Sequence, residues 1–109
     1  MLAKITSCAL VGLDGTLVDV EADVHNGLIG MFDIVGLPDT SVQESRLRVR
    51  GAIINSHLPF PQKRITINLA PADLRKEGPA YDLAIAVGVL VGSGQVPATL
   101  DNCMFVGEL

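Results

Sequence analysis

The chain has 109 residues, 49% hydrophobic and 18% charged, a balance opposite to that of a disordered chain and sized for one domain. Its formal net charge of −4 argues against a stand-alone nucleic-acid binder, which is normally basic. Aromatic residues make up only 4%, so the core must be built from Val, Ile, Leu and Ala, a composition suited to a sheet covered by helices.

Leu2 to Val11 reads as a strand, and Asp14-Gly15 as a two-residue hairpin signal. Thr16 to Val24 alternates: from Val18 onward, Val18, Val20, Ala22 and Val24 are set against Asp19, Glu21 and Asp23. Period two gives this strand one apolar and one acidic face. Asn26-Gly27 marks another turn, Met31 to Val35 a short strand, and Gly36-Leu37-Pro38-Asp39 its end. Helix-start signals follow in Asp39, Thr40 and Ser41, with Gln43 and Glu44 three residues after the last two; the sequence does not choose among these N-caps. The helix is expected to run to about Asn55-Ser56, with Val42, Ser45, Val49, Ala52, Ile53 and Ser56 on one face and Leu47 and Ile54 on another.

Pro59 and Pro61 end that connection. Arg64 to Ala70 alternates as a strand with Ile65, Ile67 and Leu69 inward, and Pro71 to Ala80 reads as a polar loop. Asp82 to Val91 is apolar on every side and reads as a buried helix, stopped by Gly92, Gly94 and Pro97. Cys103 to Val106 is one more short strand. The order is thus three strands, a helix, a strand, a helix and a strand, and the abrupt end after Leu109 suggests a cut from a longer chain.

Several chemistries are excluded or weak. Cys8, Cys103, His25 and His57 have no zinc-ligand spacing; the cysteines read as small buried hydrophobes in a reducing cytoplasm. The opening is too short and polar for a signal peptide, and Leu83 to Val91 is too short for a bilayer, so a soluble protein is expected. No Gly is followed by Lys, so the phosphate-loop pattern is absent, and Gly92-Ser93-Gly94 is no dinucleotide fingerprint. Arg46, Arg48 and Arg50 at spacing two spread around their helix as solvated or partner-facing charges, while Lys63-Arg64 and Arg75-Lys76 could come together as a phosphate contact. Asp14, Asp19, Glu21 and Asp23 read as solvated rather than metal-binding.

The most informative segment is Asn68-Leu69-Ala70-Pro71-Ala72-Asp73-Leu74-Arg75-Lys76-Glu77-Gly78-Pro79-Ala80-Tyr81-Asp82-Leu83-Ala84-Ile85-Ala86. Together with Ala9-Leu10-Val11-Gly12-Leu13, Ile34-Val35-Gly36-Leu37-Pro38-Asp39 and Glu44-Ser45-Arg46, it closely resembles the N-terminal domain of ComM/YifB-type, magnesium-chelatase-like AAA+ ATPases. That resemblance covers essentially the whole chain. It implies an α+β domain, a mixed β-sheet covered by helices, in the architecture of the proteolytic domain of Lon and of a ribosomal protein's second domain. In Lon the equivalent loop reads Lys-Asp-Gly-Pro-Ser-Ala-Gly, with the serine as nucleophile. Here Lys76, Glu77, Gly78 and Pro79 match its first four positions, and Ala80 occupies the nucleophile's. A serine–lysine dyad needs a hydroxyl to attack and an amine to take its proton; alanine offers neither, so a Lon-type serine peptidase is disfavoured. In the remaining structural reading Gly78 and Pro79 shape the turn, and Asp82 caps or complements the positive end of the following helix.

The resemblance further implies a non-catalytic accessory domain, supporting subunit assembly or guiding DNA, of a hexameric motor engaged in DNA processing, such as branch migration in natural transformation. ATP and magnesium belong to a module beyond this chain, and no cofactor, metal or catalytic residue is expected within it. Implied partners are that AAA+ module, further copies in a homo-oligomer, and DNA, with no membrane. Leu47 and Ile54, with Arg46 and Arg50, form the candidate interaction surface. An independent DNA-binding module of RadA type is the remaining alternative.

Overall fold

The structure, a computed structural model, describes residues 1–100 and 102–109. β1 (Leu2–Val11) and β2 (Asp14–His25) form a long antiparallel hairpin. β4 (Arg64–Ala70) pairs antiparallel with β2, and β3 (Phe32–Val35) lies parallel to β4, giving a mixed four-stranded sheet in the order β1-β2-β4-β3. The link from β3 to β4 contains α1 (Thr40–Gln43) and α2 (Ser45–Asn55), and α3 (Asp82–Gly92) follows β4.

Alternation decides which face is covered. Ala3, Ile5 and Ala9 of β1, Val18, Val20, Ala22 and Val24 of β2, Ile34 of β3 and Ile65, Ile67 and Leu69 of β4 are buried on one face. Val49 and Ile53 of α2 and Ala84, Ile85, Ala86, Val89 and Val91 of α3 complete the same core. Each large aliphatic side chain buried there contributes roughly 1.5–3 kcal/mol. The opposite face, with Lys4, Asp19, Glu21, Asp23, Asn68 and Thr66, carries no helix among the described residues, and Lys4 and Asp19 approach to 3.4 Å across it. Helices therefore cover the sheet on one side only.

Both outer strands are blunted. Along β1, Thr6 makes a parallel bridge to Met104, Phe105 N donates to Thr6 O at 2.9 Å, and Ser7 Oγ donates to Phe105 O at 2.9 Å. Along the four-residue β3, Gln43 Nε2 donates to Ile34 O at 3.1 Å.

Four details differ from the sequence-based expectation. The hairpin reverses at Gly12-Leu13, and Asp14 and Gly15 already belong to β2, because Gly12 supplies the positive φ, +66°, at the first turn position. The helix expected from Asp39–Ser41 to Asn55 is interrupted at Glu44. Cys103–Val106 is a docked segment with a single bridge, since side-chain and turn contacts take the place of a ladder. Cys8 is half-buried and Cys103 is exposed, so neither is a core residue. Among the described residues no helix is long and apolar enough to cross a membrane.

Candidate functional site

The loop after β4 is fixed by Asp39. Its Oδ1 accepts from Val42 N at 2.8 Å, capping α1, and its Oδ2 accepts from Gly78 N at 3.2 Å. Asp39 is thus the true cap among the three candidates. Backbone bonds reinforce the junction: Lys76 N donates to Leu37 O at 3.0 Å, and Asp39 N donates to Lys76 O at 2.9 Å.

Lys76 is fully buried, not solvated as the loop's polarity suggested. Its Nζ donates to Pro71 O, and burial pushes its pKa below the ordinary value. The unfolded chain therefore binds this proton more tightly than the folded one. The resulting penalty is full below the folded value and is relieved as pH climbs through it toward the unfolded value of 10.5. Urea midpoints are expected to rise for the wild type relative to Lys76→Met between about pH 7 and about pH 10. Parallel curves would reject a lowered pKa for this amine. Lys76 and Arg75 also lie at the opposite end of β4 from Lys63 and Arg64, roughly 20 Å away, so the four cations do not gather.

Glu77 is exposed and lies 3.4 Å from Arg75. Ala80, half-buried, carries only a methyl group, and its carbonyl accepts from Gly107 N. The cleft of about 250 Å³ beside the loop is lined by Ala9, Leu10, Leu74, Arg75, Glu77 and Tyr81. Its one hydroxyl belongs to Tyr81, whose pKa burial pushes up, the wrong direction for a nucleophile.

Asp82 does more than the helix-end role read from the sequence. Tyr81 is the N-cap of α3, and no side chain caps that end. Asp82 is fully buried in the first turn: Oδ1 accepts from Ser45 Oγ at 2.5 Å and from Arg48 Nη2 at 3.1 Å. Its Oδ2 accepts from Arg48 Nε at 2.6 Å and from Leu109 N at 3.2 Å. Arg48 Nη2 also donates to Ser41 O at 2.6 Å and to Ser45 Oγ at 3.2 Å. The hydrogen bond to Asp82 raises the Arg48 pKa further. Arg48 is therefore an internal clamp between α2 and α3, a correction to its reading as a solvated charge. The signal for it was the one charge in an otherwise apolar helix, which must find a partner. Ser45 is fully buried and engaged with a carboxylate that Arg48 holds, so no substrate reaches it.

The second feature is a groove of about 1000 Å³ at the far end of the sheet. Leu47, Ile54, Arg46 and Arg50, the four residues singled out from the sequence, all line it. Leu47 is 74% and Ile54 47% exposed. Beneath them Phe32 and Phe60 stack with centroids 6.1 Å apart, and the Arg50 guanidinium lies 5.1 Å from the Phe60 centroid. Sequence reasoning missed Phe60 and Leu58, which sit in the proline-rich link. Among the described residues no group of three or more His, Cys, Asp or Glu side chains is placed to hold a metal ion.

Residues 20–109 match the family model described as subunit ChlI of Mg-chelatase. The chain is 51% identical to the YifB protein of Salmonella typhimurium over 109 residues, which is 99% of this chain and 21% of that protein. It is 48% identical to the competence protein ComM of Haemophilus influenzae and 50% identical to YifB of Escherichia coli, each over 99% of this chain and 21% of the relative. The chain thus spans about a fifth of the length of these relatives. On this evidence the chain belongs to the magnesium-chelatase-like ChlI family, together with YifB and ComM.

Proposed function

We propose that this chain is a non-catalytic accessory domain, Lon-like in architecture, that serves subunit assembly in a longer AAA+ ATPase engaged in DNA processing. ATP hydrolysis and its magnesium are assigned to the remainder of the protein. The observation that carries the reading is the pairing of a loop that lacks a nucleophile with an exposed apolar groove. Ala80 provides no group to attack a peptide bond, whereas Leu47 and Ile54 stand exposed over an aromatic floor. The name of the ComM relative, a competence protein, supports a role in DNA processing.

The test is Leu47→Ser with Ile54→Ser in the full-length protein. Both side chains are exposed, so the domain should keep its melting behaviour within about 0.5 kcal/mol. The particle mass from light scattering is expected to fall. An unchanged mass would reject the assembly role.

A further inference from the structure

Two apolar surfaces of this molecule lie at opposite ends of its long axis. At one end the turn between β1 and β2 projects three leucines, Leu10, Leu13 and Leu17, exposed by 81%, 103% and 62%. At the other lies the groove under Leu47 and Ile54. β2 runs from the first end to the second: it begins at Asp14, beside the turn, and ends at His25, opposite Arg64. Twelve strand residues span about 40 Å, which matches the longest extent of 38 Å. The two surfaces therefore cannot meet within one molecule.

Their charges are complementary. Arg46, Arg50 and Lys63 rim the groove, and none of them forms a side-chain ion pair among the described residues. Asp14 stands beside the leucine-rich turn and is likewise without an ion pair among the described residues. The turn is narrow and protrudes, and the groove is concave, with a stacked aromatic floor.

We infer that the β1–β2 turn of one copy of this domain seats in the groove of the next, leucines over Phe32 and Phe60 and Asp14 among Arg46, Arg50 and Lys63. Such a contact joins two different surfaces, so each copy keeps one of each free for a further neighbour. It closes into a ring when the rotation per copy divides a full turn. The inference rests on the assembly reading above and specifies the surfaces it uses. A nucleic acid is the weaker occupant. The groove's three cations are few for a phosphate track, and the neighbouring open sheet face carries Asp19, Glu21 and Asp23.

Site-directed cross-linking in the full-length protein tests it. Cys103→Ser removes the exposed native thiol, and this parent is the control. Leu13→Cys and Leu47→Cys are made in separate preparations. Mixing them and adding a short bis-maleimide should give a covalent dimer that neither preparation gives alone. Charge exchange is the second arm. Asp14→Lys or Arg50→Glu alone should weaken association by about tenfold, and the two together should recover much of it. A dimer from Leu13→Cys alone would mean a turn-to-turn contact and would overturn the inference. If the Leu47/Ile54 variant lowers particle mass but the mixture gives no dimer, another segment fills the groove: the inference fails and the assembly reading stands. If neither responds, both fail. If Arg50→Glu leaves the mass intact and abolishes a salt-dependent shift of single-stranded DNA, the groove serves nucleic acid and the inference is overturned.

Discussion

Asp82→Ala is expected to destabilise the domain by about 3 kcal/mol or more, read from urea unfolding. The carboxylate is fully buried and accepts four hydrogen bonds, from Ser45, twice from Arg48 and from Leu109 N. Its loss leaves the partly buried Arg48 guanidinium with only the exposed Glu44, 3.7 Å away, as counter-charge and the Ser45 hydroxyl without its acceptor. The cost of such orphaned groups is usually larger than the net worth of the pair. Arg48 is 23% exposed in its side chain, so water softens the effect and places it at the low end of the range for broken buried pairs. Asp82→Asn should cost less, because the amide oxygen still accepts from Ser45. Exchanging the whole set for apolar residues of similar size should restore much of the loss. A change below about 1 kcal/mol in Asp82→Ala would show that the network does not clamp α2 to α3.

Gly36→Ala is the second large effect expected. Gly36 follows β3 with φ +109°, and a Cβ built there would lie 2.1 Å from Leu69 O and 3.0 Å from Leu69 C. Those are backbone atoms of β4, a central strand whose Leu69 side chain is fully buried, so they cannot swing aside. Steric strain and an unfavourable φ act together, and a loss of about 3 kcal/mol or more is expected, with failure to accumulate as folded protein as its extreme. Gly51→Ala is the control. It lies in α2 with open space at its Cβ position, and gains about 0.5–1 kcal/mol from helix propensity. Equal melting temperatures for Gly36→Ala and wild type would disprove the close approach.

Most of the architecture was legible because alternation and helical spacing are local. β1 spans the residues its pattern indicated, and every second residue of β2 from Val18 to Val24 is buried. The inward set Ile65, Ile67 and Leu69 follows from the same rule. What the sequence could not give was pairing across distance. Arg48 and Asp82 are 34 residues apart, and the lone charge of α3 signals a partner without naming it. Lys76 lies in a stretch whose composition is that of a solvated loop, and only the folded chain lays Pro71 O against its amine. The expected last strand kept its position but not its ladder, since Ser7 Oγ, a side chain, bonds the Phe105 carbonyl. For the groove, the residues of α2 were visible from the seven-residue spacing of Leu47 and Ile54. Phe60 was not, because a proline-flanked aromatic carries no periodicity.

The blunted rims of the sheet have a consequence for how copies can meet. A strand donated by another chain needs a run of unpaired amides and carbonyls to template on. β1 has Met104 and Phe105 against its flank, and β3 offers only four residues, one carbonyl of which is occupied by Gln43. Intermolecular sheet growth is therefore discouraged at both margins. That steers self-association away from fibril-like stacking and toward side-chain recognition, which is specific and reversible.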